Sequence, residues 1–131
     1  MQITINHVLE RLNSLLDGFS LAGTTNTHYI IQTPVFKKNN ESVLLYVPIS
    51  NGIVANAENY NFIISDNKET LDADYYLLDQ PDVNNMLTDM VTSTSNMQLK
   101  DDEIIITTNL INLNQDMLAY LNMVIGLDKF I

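Results

Sequence analysis

Apolar residues at helical spacing open the chain. Val8, Leu9, Leu12, Leu15, Leu16 and Phe19 fall at i, i+1, i+4, i+7, i+8 and i+11, a stripe that predicts an amphipathic helix from about Thr4 or Asn6 to Asp17. Asn6 is the predicted N-cap. Gly18 occupies the position where a left-handed residue ends a helix favourably. The chain therefore should begin with one helix, followed by a polar loop over residues 23–27.

The pattern then changes to short runs rich in β-branched and aromatic residues. These runs, at residues 29–33, 43–47 and 60–65, predict three strands, with residues 37–41 as a hairpin loop and 53–55 as a further short strand. An antiparallel meander is the expected product.

Helical spacing returns after Ser65. Thr70 is placed to cap a short helix through Asp79, and Pro81 fits the first turn of a second helix that the Ser/Thr run at 92–95 ends. Residues 104–107 predict a last strand, and an apolar stripe from Leu110 to Ile125 predicts a final helix that stops at Gly126.

The whole pattern predicts a single α+β domain over residues 1–131, with a mostly antiparallel sheet of three to five strands. An N-terminal helix, a middle helix pair and a C-terminal helix should cover one face of it. The apolar residues 127–131 are expected either to dock on this core or to form a tail that packs on a partner.

Three landmarks in order carry a family resemblance: Ile31-Gln32-Thr33-Pro34-Val35-Phe36, then Val43 to Val47, then Ile64-Ser65-Asp66-Asn67-Lys68-Glu69-Thr70-Leu71. Together they resemble an uncharacterised family of small bacterial and phage or prophage proteins with T-P-F and L-T-D-D-G-x-T-L motifs. Lys68 stands where that family usually has Gly. The resemblance implies a mobile-element or host-defence setting, and it brings no catalytic residue.

Charge divides the chain unevenly. Eleven of the sixteen acidic residues lie from Glu58 to Glu103, opposed there only by Lys68 and Lys100, and the formal net charge is −10. Such a protein is repelled by nucleic acid and anionic membranes and attracted to basic surfaces, including those that bind nucleic acid. The alternative is that the acidity serves only solubility. Cysteine is absent and the sequence starts without signal-peptide features, so we expect an intracellular protein. The family resemblance implies that the compartment is the cytoplasm of a bacterial host cell.

Candidate catalytic patterns are weak. A calcium loop beginning at Asp72 would place Leu77 where the turn glycine is required, and His7 and His28 are isolated, with local packing the favoured interpretation of each. No serine stands in a nucleophile elbow, and the glycines form no phosphate loop. We therefore expect no enzyme activity, no metal and no cofactor; a small hydrolase would instead require carboxylates to gather near His7 or His28.

The predicted function is a non-enzymatic, acidic protein-binding module. In the phage setting that the resemblance implies, it would be an anti-defence, anti-CRISPR-like inhibitor that mimics nucleic acid and blocks a basic surface of a host nuclease. The predicted partner-binding residues are acids around one tyrosine, although Asp66 also suits a strand-to-helix turn: Asp66, Glu69, Asp72, Asp74, Tyr76, Asp79, Asp82 and Asp89. Residues 101–103 are expected either to form a solvated turn before the last strand or to extend the acidic contact surface. The alternative function is a structural or regulatory domain that forms a homodimer through its apolar tail and sheet edge.

Overall fold

A computed structural model describes residues 2–70, 81–94, 96–101 and 103–130. In chain order the described elements are α1 (Ile5–Leu15), β1 (Ser20–Thr24), β2 (His28–Phe36), β3 (Ser42–Pro48), β4 (Phe62–Ser65), α2 (Pro81–Thr92), β5 (Met97–Lys100), β6 (Glu103–Thr108) and α3 (Leu113–Phe130). The strands form one sheet in the order β1-β2-β3-β4-β6-β5, and every pair of neighbours is antiparallel. The α+β class is confirmed, with six strands in place of the three to five expected.

The helices α1 and α3 cover one face of the sheet. Ile31, Leu45 and Ile64, on three successive strands, are fully buried and belong to one core with residues of both helices. The hydroxyl of Tyr120 in α3 donates to the carbonyl of Ile104 in β6 at 2.6 Å, which fixes the helix beneath that strand. The helix α2 adds Val91 to the same core.

The helix α1 has the predicted apolar stripe, but its N-cap is Thr4 and not Asn6. The backbone N–H of Thr4 donates to Nδ1 of His7 at 3.0 Å, so the histidine satisfies the start of the helix. Gly18 has a φ of +112°, and a Cβ there would lie 2.8 Å from Cβ of Pro34. Glycine is thus required after α1 both by its backbone conformation and by the close approach of β2.

Two edge strands differ from the sequence-based expectation. The strand β1 reaches Thr24, within the predicted polar loop, and β5 was not predicted. Residues 53–55 form isolated bridges in place of the predicted short strand, and one of these pairs Ala55 with Ile3. The hairpin loop at 37–41 is confirmed by a hydrogen bond of 2.9 Å from Lys37 N–H to the carbonyl of Glu41.

The final helix does not stop at Gly126. It continues to Phe130, Leu127 is fully buried, and the carboxylate of Asp128 accepts a hydrogen bond of 2.8 Å from the backbone N–H of Lys38. Packing of this last turn outweighs the preference of glycine for a helix end. Residues 127–130 are therefore the end of α3, not a separate tail. The predicted helix from Thr70 to Asp79 lies outside the described residues beyond Thr70.

Candidate partner-binding surface

Four acidic residues lie at the end of the sheet where β4 finishes and β6 starts, and the exposed Lys68 and Lys100 lie at the same end. Asp66 and Glu69 follow β4, while Asp101 and Glu103 lie in and after the turn between β5 and β6. We call these four residues the acidic end. Asp101 is exposed, Glu69 and Glu103 are half-buried, and Asp66 is buried.

Asp66 is used inside the protein. Its carboxylate accepts hydrogen bonds from the backbone N–H groups of Lys68 (3.1 Å), Thr70 (3.1 Å) and Ile104 (3.0 Å), and its side chain is 1 % exposed. Burial raises the pKa of this carboxyl, and the N–H donors from Ile104 and Thr70 act in the opposite direction. Asp66 therefore holds the turn after β4, as its structural interpretation has it. Its predicted role in partner contact stays a prediction, for which this buried side chain offers little surface.

The turn after β4 is held in an unusual backbone conformation. Asn67 and Lys68 have φ values of +53° and +69°, and the N–H of Glu69 donates to the carbonyl of Asp66 at 3.1 Å. Two successive positive φ angles inside a four-residue turn are typical of type I′ geometry, which favours Asn followed by Gly. Lys68 therefore adopts the conformation for which glycine would be the usual residue.

Glu69 and Glu103 are positioned by partners from the neighbouring strands. The Tyr46 hydroxyl donates to Glu69, and the Ser65 hydroxyl donates to Glu103 while accepting from the N–H of Asn67 at 2.9 Å. Burial, followed by the hydrogen bond to Glu69 and its negative charge, raises the pKa of Tyr46 to about 12. Hydroxyl groups of the neighbouring strands thus hold both side chains at one end of the sheet.

Tyr120 lies beneath the same end. Burial raises the pKa of its phenol well above the ordinary value, and the negative charges of Asp66 and Glu103 add to the shift. The phenol therefore stays neutral and donates to the Ile104 carbonyl. The side chain beneath the acidic end is thus a neutral, hydrogen-bonded tyrosine, which contributes no positive charge.

The other predicted contact residues are placed as follows. Asp72, Asp74, Tyr76 and Asp79 lie outside the described residues, and for Asp82 the structure describes only its backbone, in the first turn of α2. Asp89 is exposed on α2. The structure therefore places Glu69 at the same end of the sheet as Asp101 and Glu103, and of these three only Glu69 belonged to the predicted set. For Asp101 and Glu103, the feature visible in the sequence is the acidic triplet at residues 101–103.

The two histidines each have a local hydrogen-bond partner. The Nδ1 atom of His7 accepts a hydrogen bond from the backbone N–H of Thr4. The Nδ1 atom of His28 lies 2.7 Å from the hydroxyl of Thr27. The rings of His28 and Tyr46 meet edge to face, with their centroids 6.4 Å apart. Over the described ranges, no three His, Asp or Glu side chains are grouped so as to hold a metal ion. No described helix has both the length and the apolar character to cross a membrane.

No family model matches the chain, and no curated protein or solved structure is significantly similar to it.

Proposed function

We propose that this protein is a non-enzymatic, acidic binding module that occupies a basic, nucleic-acid-binding surface of another protein. The observation that carries the proposal is the convergence of Glu69, Asp101 and Glu103 at one end of the sheet. Residues 71–82, which include four further aspartates, continue directly from this end in the sequence. Carboxylates at such a surface replace phosphates at Lys and Arg contacts, so the two ligands compete.

The proposed setting is a phage or prophage in a bacterial cytoplasm, with a host nuclease as the blocked protein. The family resemblance of residues 31–36, 43–47 and 64–71 supports this setting, and the charge distribution supports the choice of a basic partner. A protein with a net charge of −10 is itself repelled by nucleic acid, which makes direct nucleic-acid binding unfavourable.

The test is capture of basic nucleic-acid-binding proteins, nucleases included, from a bacterial lysate on the immobilised protein, followed by affinity measurements at about 50 mM and about 200 mM salt. We expect a captured protein that duplex DNA displaces and whose affinity falls as salt rises. Failure to capture any basic protein at low salt would contradict the proposal.

A matched pair of variants separates local contact from overall charge. Glu69→Gln with Asp101→Asn removes two charges from the acidic end, and Glu41→Gln with Asp17→Asn removes two charges from exposed residues elsewhere. We expect the first pair to weaken binding about tenfold, equivalent to about 1.4 kcal/mol, and the second to change it little. Equal weakening by both pairs would show that only net charge matters.

A further inference from the structure

An apolar groove runs between the end of α1 and the middle of α3. It encloses about 350 Å³. Phe19 and Leu121 are its buried lining residues, and Leu15, Val35 and Ile125 are half-buried around them. Asn122 is its one polar lining residue, so the groove offers little to a charged ligand.

Two leucines that line the same groove protrude from it. Leu16 is 50 % exposed and Leu118 is 54 % exposed. The surface therefore presents two aliphatic side chains beside an apolar hollow. A two-fold symmetric contact requires one patch that supplies both the projecting and the receiving side chains, and this patch contains both.

The charge distribution favours a second copy as the occupant. No Asp, Glu, Lys or Arg occurs from residue 18 to 36, or from residue 117 to 127, the segments that supply most of the groove. Two chains that each carry a net charge of −10 repel one another over most of their surfaces. The lining of the groove is uncharged, and Asp17, which follows Leu16, is the acidic residue next to it in the sequence, so two copies meet fewer carboxylates here than at the acidic end.

We propose that this groove is the interface of a homodimer, in which Leu16 and Leu118 of each copy enter the groove of the other. The buried side chains remove apolar area from water, which drives the association. The dimer does not depend on the function proposed for the acidic end, because the two surfaces share no residue.

The test is the mass of the full chain in solution, measured by sedimentation equilibrium over a range of protein concentrations at about 50 mM and about 500 mM salt. One chain has a mass of 14.8 kDa, so a dimer has twice that value. We expect the dimer fraction to increase with concentration and with salt, since salt screens the repulsion between the two acidic chains. Binding of a basic partner at the acidic end responds to salt in the opposite direction, so failure of one proposal is distinguishable from failure of the other.

Three variants localise the contact. Leu118→Glu and Leu16→Glu should each abolish the dimer, because each buries a carboxylate in the apolar groove. Ile111→Glu is the matched control, since Ile111 is 56 % exposed and does not line the groove, and it should dimerise like the wild type. A wild-type chain that stays monomeric at high salt would overturn the proposal. Equal loss of the dimer in Ile111→Glu would also overturn it.

Discussion

Replacement of Asp66 by alanine tests how the acidic end is built. The carboxylate accepts hydrogen bonds from the backbone N–H groups of Lys68, Thr70 and Ile104. The hydrogen bonds from Thr70 and Ile104 are buried, and the one from Lys68 is partly buried. Alanine has no acceptor, so the variant leaves these donors without their partner at the junction of β4 and β6.

The magnitude follows from the two buried donors. A buried N–H that loses its acceptor costs about 1–3 kcal/mol, so the pair costs about 2–6 kcal/mol. Removal of a carboxylate whose pKa is raised by burial relieves part of its desolvation, which reduces the loss. We therefore expect Asp66→Ala to lower the free energy of unfolding by about 2–4 kcal/mol, a large part of the ~5–15 kcal/mol typical of a domain.

Urea denaturation followed by circular dichroism measures this difference. Asp89→Ala is the control, because Asp89 is also an aspartate but is exposed on α2, and its effect should stay within about 0.5 kcal/mol. A loss below about 1 kcal/mol in Asp66→Ala would refute the reasoning, because at least one buried N–H would then have found another acceptor.

Three further predictions concern stability. Burial raises the pKa of Asp66, so the folded state retains this proton to higher pH than the unfolded state. The stability of the wild type relative to Asp66→Ala should therefore be greatest below the ordinary aspartate pKa and fall as pH rises through the raised value, as urea titrations at several pH values would show. Lys68→Gly should stabilise by about 0.5–1 kcal/mol, because it relieves a positive φ, whereas Lys68→Ala, which loses the same charge and keeps a Cβ, should not. Gly18→Ala should destabilise by about 2 kcal/mol or more because of its φ and the contact with Pro34, while Gly126→Ala, in an exposed helical position with open space, should stabilise by up to about 1 kcal/mol; thermal melts would distinguish the two.

The elements that were predicted well are those in which one face is buried. In α1, Val8 and Leu12 are spaced one helical turn apart and are both buried. In β3, the residues from Val43 to Val47 alternate between buried and half-buried positions, as a strand requires. The strand β1, at one edge of the sheet, exposes most of its side chains, so hydrophobic periodicity gives it little signal. The strand β5, at the other edge, alternates buried or half-buried Met97 and Leu99 with exposed polar residues, but its four residues are too few for a clear pattern. Gly23 in β1 further weakened the strand pattern.

The candidate surface could be predicted only in part. The excess of acid between Glu58 and Glu103 is visible in the sequence, but the contact of Ser65 with Glu103 spans 38 residues and depends on the pairing of β4 with β6. The burial of Asp66 has the same origin, because its partner Ile104 comes from β6. Local patterns cannot show which of several acids will be enclosed by a later strand.

The contact between Asp128 and Lys38 joins residues 90 positions apart and has a consequence for synthesis of the chain. The strands β2 and β3 are synthesised before α3, which shares one core with them. Until α3 has docked, the sheet leaves Ile31, Leu45 and Ile64 less well covered, and a chain that lacks α3 is then a substrate for chaperones or a seed for aggregation. Docking of α3 is therefore the step that encloses this core.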